Sequence, residues 1–261
     1  MHAVKNFFKK VVGLHYMNGV KPIMHTTYLG SVVHGYTLPT EILNDQLVCY
    51  CVGAGIDISF DTALAECTGA SVFIIDPMPY ALHHFNLVKN AALLQQKVTI
   101  DPGENEYTYA ITKERFDKIY FLPIGVWNKK ETVKFYFPSK ENYAGHSITN
   151  LQNTDTFIEA PVDTLDSIMQ QHQHTEIDIL KLEIEGAEYT VLDDIMSKKI
   201  PVKIILIEFD EIHNKTGIAR LRRVVAASNK LVNAGYTIAH STFSFKRMFV
   251  RNDVYKTLTK K

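Results

Sequence analysis

Two stretches of this 261-residue chain gather the residue types that could do chemistry. The first is the turn Gly53-Ala54-Gly55 after an apolar run, followed 23 residues past Gly53 by Asp76 at the tip of the next apolar run. Glycine permits positive φ and lets a ligand approach the backbone where a side chain would block it. In an open parallel sheet, ligands sit outside the carboxyl ends of the strands, beside the first one. A carboxylate at the position of Asp76 can accept both hydroxyls of a ribose there. The plainer reading is a tight turn and an Asp-Pro bend. The second stretch places Glu183 and Glu185 two residues apart at a strand end, roughly 6 to 7 Å apart on one face if the pleat holds. Such a carboxylate could orient a hydroxyl or take its proton as a general base. It could equally support the start of the following helix, or pair with Lys181, as Glu188 could. Glu208, at the end of a later apolar run, is a further candidate for the same cleft.

What is missing narrows the ligand. A dinucleotide fingerprint needs a third glycine, Gly-x-Gly-x-x-Gly, so that the pyrophosphate sits on the helix N-terminus. Here Ile58 holds that position, followed by Ser59, and the chain has no Gly-Lys-Ser/Thr phosphate loop. A ligand with a ribose but no phosphates fits better, and S-adenosyl-L-methionine is the common one. The 28 Lys+Arg balance 28 Asp+Glu, so there is no bulk basic surplus to release counterions from a nucleic acid. The eleven histidines include no His-x-x-x-His pair; His172 and His174 with Glu176 read as a solvated loop, and no metal site is expected. His146 and Ser147, in a polar loop at the carboxyl edge, are candidates for contact with a substrate.

Elements that would position these groups follow from periodicity. Apolar runs at 47–52, 71–75, 119–124, 177–184 and 202–209 read as strands, with a closing antiparallel pair at 236–240 and 244–251. Helical spacing links Phe60, Ala63, Leu64 and Cys67, with Gly69 as the stop, then covers residues ~80–96, Val191 to Met196, and 218–234. An inserted hairpin is expected around 101–105. A further strand at 133–137 and a polar loop at 138–153 make an insertion around 132–153. The division expected is a cap at 1–46, whose His25, Tyr28, His34 and Tyr36 either cover the pocket or pack the segment, and one α/β domain at 47–261. At 46% hydrophobic and 21% charged, the chain can bury one sizeable core. It has no apolar stretch of the roughly 18 to 20 residues that a membrane span needs. Its first residues, with Val4, Phe7, Phe8, Val11 and Val12 on one side, suggest an amphipathic helix rather than a secretion signal. Three cysteines, an odd number, point to a reduced, cytoplasmic setting, with Cys49 and Cys51 on one strand face.

The block Val52-Gly-Ala-Gly-Ile-Asp-Ile-Ser-Phe-Asp, then Ile75-Asp-Pro-Met-Pro, Gly125-Val-Trp, Lys134-Phe-Tyr-Phe-Pro, His146-Ser-Ile-Thr-Asn-Leu, Asp178-Ile-Leu-Lys-Leu-Glu-Ile-Glu-Gly-Ala-Glu and Ile207-Glu-Phe-Asp resembles FkbM-type S-adenosylmethionine-dependent methyltransferases over roughly residues 45–250. The resemblance implies a class I, Rossmann-like fold: a seven-stranded, mostly parallel sheet with an antiparallel last strand and helices on both faces. It implies methyl transfer to a hydroxyl of a sugar, glycan or other small molecule. It also implies roles: Gly53, Gly55 and Asp57 around the methionine part of the cofactor, Asp76 on its ribose, Ala54, Ser59, Phe60, Pro77 and Gly125 as further cofactor contacts, and Glu183 near the reaction centre. Three positions depart from the family pattern. Glu183 stands where the family usually has Asp, Cys51 where an acid is frequent, and Asp210 where His is frequent. Two other readings stay open: a protein that binds the cofactor without turnover, and a nucleotide-dependent oxidoreductase, against which the missing third glycine argues.

Overall fold

The computed structural model describes residues 19–100, 106–137, 146–150, 153–209, 217–242 and 245–260. The expectations for residues 4–12, for Asp210 and for most of the 138–153 loop fall outside these residues, as does the 101–105 connection of the expected inserted hairpin. A hairpin of β1 (Thr26–Leu29) and β2 (Tyr36–Pro39) comes first. β3 (Val48–Val52) leads through the glycine turn into α1 (Ser59–Thr68), and β4 (Ser71–Ile75) into α2 (Pro79–Leu94). The antiparallel pair β5 (Val98–Ile100) and β6 (Tyr107–Tyr109) is the hairpin expected there, followed by the short α3 (Lys113–Phe116) and β7 (Ile119–Leu122). Next come β8 (Gly125–Val126), β9 (Glu131–Tyr136), β10 (Phe157–Asp163) and α4 (Leu165–Gln171). The chain closes with β11 (Ile177–Leu182), α5 (Glu188–Lys198), β12 (Val202–Glu208), α6 (Gly217–Asn233), β13 (Tyr236–Ser241), β14 (Lys246–Arg251) and α7 (Asn252–Thr259).

The main sheet runs β13-β14-β12-β11-β3-β4-β7. Its five strands from β12 to β7 are parallel, and β14 is antiparallel to both its neighbours. Chain order moves outward from β3 through β4 to β7, then returns to the other side at β11. The gap between β3 and β11 is therefore the switch point at which such sheets bind ligands.

The unbroken apolar runs are explained by burial of both sheet faces, since alternate residues point to opposite sides and each side is covered by helices. Cys49 and Cys51 of β3 pack with Phe60 and Leu64 of α1 and Phe85 of α2. Tyr50 and Val52 pack on the other side with Ile168 of α4, Leu192 of α5 and Val224 of α6. Each aliphatic side chain so buried contributes about 1.5 to 3 kcal/mol relative to exposure. Gly69 ends α1 as expected, at φ 70°, its N–H donating to Ala65 O at 2.7 Å.

β1, β2, β8, α3 and α4 escaped periodicity, as did β10 and α7. β10 sits between β8 and β9 in a separate three-stranded sheet, although it contains Pro161, which argues against a central strand. The proline is tolerated because β8 pairs only with Val162 and Asp163, leaving no strand on that side of Pro161. α7 is short, but Val254, Tyr255 and Leu258 recur at helical spacing and pack against the core. Among the described residues no helix is long and apolar enough to cross a membrane.

Candidate functional site

The carboxyl ends of the central strands are tied together beyond the ladder. Gly53 N–H donates to Ile75 O at 3.0 Å, Glu183 N–H to Val52 O at 3.0 Å and Asp76 N–H to Leu122 O at 3.1 Å. Gly53 has φ 88°, and a Cβ built on it would lie 1.9 Å from the Glu183 carbonyl oxygen. Glycine is required here because the turn presses against the end of β11. Gly55 has φ 52° but no atom within 4 Å of an added Cβ, so its outer side is an open cradle for a ligand. Asp76 holds this turn in place. Its Oδ2 accepts the N–H groups of Ala54 and Gly55 at 2.8 and 3.1 Å, and its Oδ1 accepts Met78 N–H at 2.8 Å. Burial pushes its carboxyl above the ordinary value, against the bonds from Met78, Gly55 and Ala54. Carboxylate oxygens each offer two lone pairs, so Oδ1 retains room for a ribose hydroxyl.

Asp57, Ser59 and Phe60 meet at the start of α1, facing the β1–β2 hairpin. Asp57 Oδ1 accepts Ser59 N–H at 2.7 Å and its Oδ2 accepts the Ser31 hydroxyl at 2.8 Å, while Ser31 N–H donates to Ser59 Oγ at 2.7 Å. Phe60 is buried with its ring edge-on to Tyr36, centroids 5.4 Å apart. Gly125 lies farther along the edge, where Val162, Phe135 and Pro77 close around it. The hairpin thus covers the α1 side of the cleft.

Beneath the hairpin lies a charged centre. The Tyr36 hydroxyl donates to Glu183 Oε1 at 2.8 Å. Lys246 Nζ lies 3.1 Å from Glu183 Oε1 and 3.3 Å from Glu208 Oε2, and donates to Val33 O at 2.7 Å. Lys181, fully buried, pairs with the equally buried Asp61 at 3.0 Å and approaches Glu183 Oε2 at 3.9 Å, as does His34. Of the carboxylates that the sequence offered to Lys181, Glu183 is the one brought within ion-pair range. Glu188 Oε1 instead accepts Ile184 N–H at 3.0 Å, which satisfies the turn into α5. Burial alone would raise the Glu183 carboxyl, but Lys246, Lys181, His34 and the Tyr36 bond hold it down at about 2. Burial first and the Glu183 charge second push Glu208 up to about 7, against the pull of Lys246. A cleft read from sequence as gathering Asp57, Asp76, Glu183, Glu185 and Glu208 thus also brings its own two ammonium groups. Lys246 and Asp61 carried no local signal, because only the strand register and the packing of α1 bring them to Glu183.

Glu183 and Glu185 do not share a face. The pleat ends at Leu182, and Glu185 takes a left-handed conformation, φ 53°. Its carbonyl accepts the Ser147 and Thr149 hydroxyls, and its charge, with that of Asp76, adds to the burial that raises the Tyr80 hydroxyl. Ser147 therefore braces the turn after β11. The His146 ring lies 5.0 Å from Tyr80 and 4.3 Å from Phe137. His172 and His174 lie in a loop before β11 whose Gln173 and Thr175 are exposed, and their half-buried rings rest on Phe73, where Tyr50 OH meets His174 Nδ1 at 2.8 Å.

Among the described residues, His34, Glu183 and Glu208 offer three donor atoms within 4.8 Å of one another. The Lys246 ammonium between the two carboxylates already supplies the positive charge there, so the set suits an ammonium rather than a metal ion.

A sheet in this order, with a glycine turn after β3 and an acid after β4 flanking the switch point, is the class I methyltransferase architecture. The FkbM methyltransferase domain model matches residues 52–256; the chain belongs to that family, whose members use S-adenosylmethionine. Among solved structures, methyltransferase FkbM from Methylobacillus flagellatus KT is 15% identical, over 80% of this chain and 44% of that one, with a TM-score of 0.46. The fibrillarin pre-rRNA processing protein of Methanococcus jannaschii is 10% identical, over 81% of this chain and 68% of that one, with a TM-score of 0.41. The chain thus spans under half the length of the solved FkbM chain. No curated protein matches it.

Proposed function

We propose that this chain transfers a methyl group to a hydroxyl of a small molecule, with a sugar or glycan hydroxyl as the first class to test. The observation that carries the reading is the unequal surroundings of two carboxylates at the carboxyl edge: Glu183 is met by Tyr36, Lys246 and Lys181, whereas Glu208 shares Lys246 alone of these. Two acids whose environments push their protonation apart divide their roles. The open cradle at Gly55, the spare lone pair on Asp76 and the buried carboxylate of Asp57 fit the cofactor, with Gly53 giving the turn its shape. Bound S-adenosylmethionine would supply a methyl group already activated on a sulfonium. The chain's own contribution is to orient the hydroxyl and accept its proton. Glu183, fixed by Tyr36, Lys246 and Lys181, keeps a negative charge in the cleft, and Glu208 is the proton acceptor. The hairpin contributes Tyr36, His34 and the Val33 carbonyl to their surroundings. Three free cysteines, one of them exposed, suit a reducing, cytoplasmic compartment.

A base must be ionised to act, so turnover should rise as pH rises through about 7, the value to which Glu208 is raised. Glu208→Gln should lower turnover by roughly 10² to 10⁴-fold and remove that limb, while leaving cofactor binding unchanged. Release of S-adenosylhomocysteine against pH over a panel of hydroxylated acceptors makes the comparison. An unchanged limb with full turnover in Glu208→Gln would rule out Glu208 as the base.

A second reading, a protein that binds the cofactor without turnover, is favoured by the protein partners on both oxygens of Asp57 and of Glu183. The same panel separates the two. Binding with no acceptor methylated by any hydroxyl class supports the second.

A further inference from the structure

We propose that Lys246 is a positioning residue of the transfer site: its ammonium, anchored by the hairpin, lies between Glu183 and Glu208 and decides which of them carries the proton. The inference rests on the reading of Glu208 as the base. Lys246 stands directly opposite Glu208 in the β12–β14 register, so both side chains leave the same sheet face. An ammonium has three N–H donors, and three acceptors surround this one: Val33 O at 2.7 Å, Glu183 Oε1 at 3.1 Å and Glu208 Oε2 at 3.3 Å. The Tyr36 ring lies beneath it, 4.5 Å from Nζ. All three donors are used, and the side chain is buried.

The surroundings of the two carboxylates differ. Glu183 also receives the Tyr36 hydroxyl, and has Lys181 from β11 and His34 from the hairpin at 3.9 Å. Lys181 is itself tied to Asp61 of α1. Burial and the charges of Glu183, Glu208 and Glu188 keep Tyr36 protonated, and so a donor. For Glu208, the neighbouring cation among the described residues is the Lys246 ammonium, and it is shared. One proton offered to the pair therefore goes to Glu208, and the ammonium sets how readily that proton leaves. Because its third bond ends on Val33 O, seating of the hairpin and the protonation of the pair are coupled.

The test needs no acceptor. The full chain labelled with ¹³C at glutamate carboxyl carbons is titrated by NMR. Glu208 should titrate near 7, and its signal is assigned by its loss in Glu208→Gln. In Lys246→Met the Glu208 midpoint should move up by about 1 to 3 pH units, as expected for losing an opposite charge at this range. Lys246→Arg, which keeps the charge, should restore it. Should Lys246→Met fail to fold, Lys246→Gln, which can still donate to Val33 O, should show the same upward shift. Tyr36→Phe removes a donor to Glu183 without touching the ammonium, and should leave the Glu208 midpoint close to its starting value. A Glu208 midpoint unmoved in a folded, uncharged Lys246 variant overturns the inference while leaving the base reading intact. If no carboxyl titrating near 7 is lost in Glu208→Gln, the base reading falls first.

Discussion

Gly53→Ala is expected to abolish binding of S-adenosylhomocysteine and to destabilise the fold by about 3 kcal/mol or more. The added Cβ would stand 1.9 Å from the Glu183 carbonyl oxygen and 2.9 Å from its carbon. Both are backbone atoms in a hydrogen-bonded strand end, where Glu183 N–H already holds Val52 O. No rotamer relieves such a clash. Either β3 and β11 separate at the switch point or the turn leaves its φ of 88°, and either movement releases the Ala54 and Gly55 N–H groups from Asp76. Gly55→Ala is the matched control. It meets nothing within 4 Å, so its cost is conformational, on the order of 1 kcal/mol. Urea denaturation of both variants compares the two costs, calorimetric titration of Gly53→Ala reads the affinity, and a Gly53→Ala protein with unaltered midpoint and affinity would be incompatible with this geometry.

Lys181→Met should cost about 3 to 5 kcal/mol, the range for breaking a buried ion pair from one side. Lys181 and Asp61 are both fully buried and 3.0 Å apart. Removing the ammonium leaves Asp61 charged in an apolar layer among Cys51, Phe60 and Leu64, or forces it to take a proton. The companion variant Lys181→Met/Asp61→Leu should recover most of the loss, because an apolar pair of similar volume avoids the desolvation of both charges. Denaturant midpoints for the two singles and the double test this. A double variant as unstable as Lys181→Met would mean that the loss came from packing rather than from the orphaned charge. Glu183 loses a cation in both variants that lack Lys181, so turnover should fall in the double even where stability returns.

The sheet was legible in the sequence because burial on both faces writes strands as uninterrupted apolar runs, and Gly53, Gly55 and Asp76 punctuate two of them. β10 was not, because Pro161 is forbidden only where strands flank it on both sides. Glu183 and Glu208 could be picked out as carboxylates at strand ends. Their chemistry could not, since it depends on Tyr36, which lies 147 residues from Glu183 in sequence, and on Lys246, 63 residues away. The proposed alignment of Glu183 with Glu185 failed for a local reason: a single left-handed residue turns the chain and ends the alternation. Asp76 shows a subtler gap. An acid after the second strand reads as a ribose ligand, yet its first task here is to hold three backbone N–H groups of the turn and of α2, and any ribose hydroxyl would join that network.

We assign S-adenosylmethionine to the switch point between β3 and β11. Isothermal titration of the intact chain with S-adenosylhomocysteine and, separately, with NAD tests it most directly. The structure predicts saturable binding of one S-adenosylhomocysteine per chain, lost in Gly53→Ala and retained in Glu208→Gln, with no binding of NAD. Tight binding of NAD with none of S-adenosylhomocysteine would contradict it.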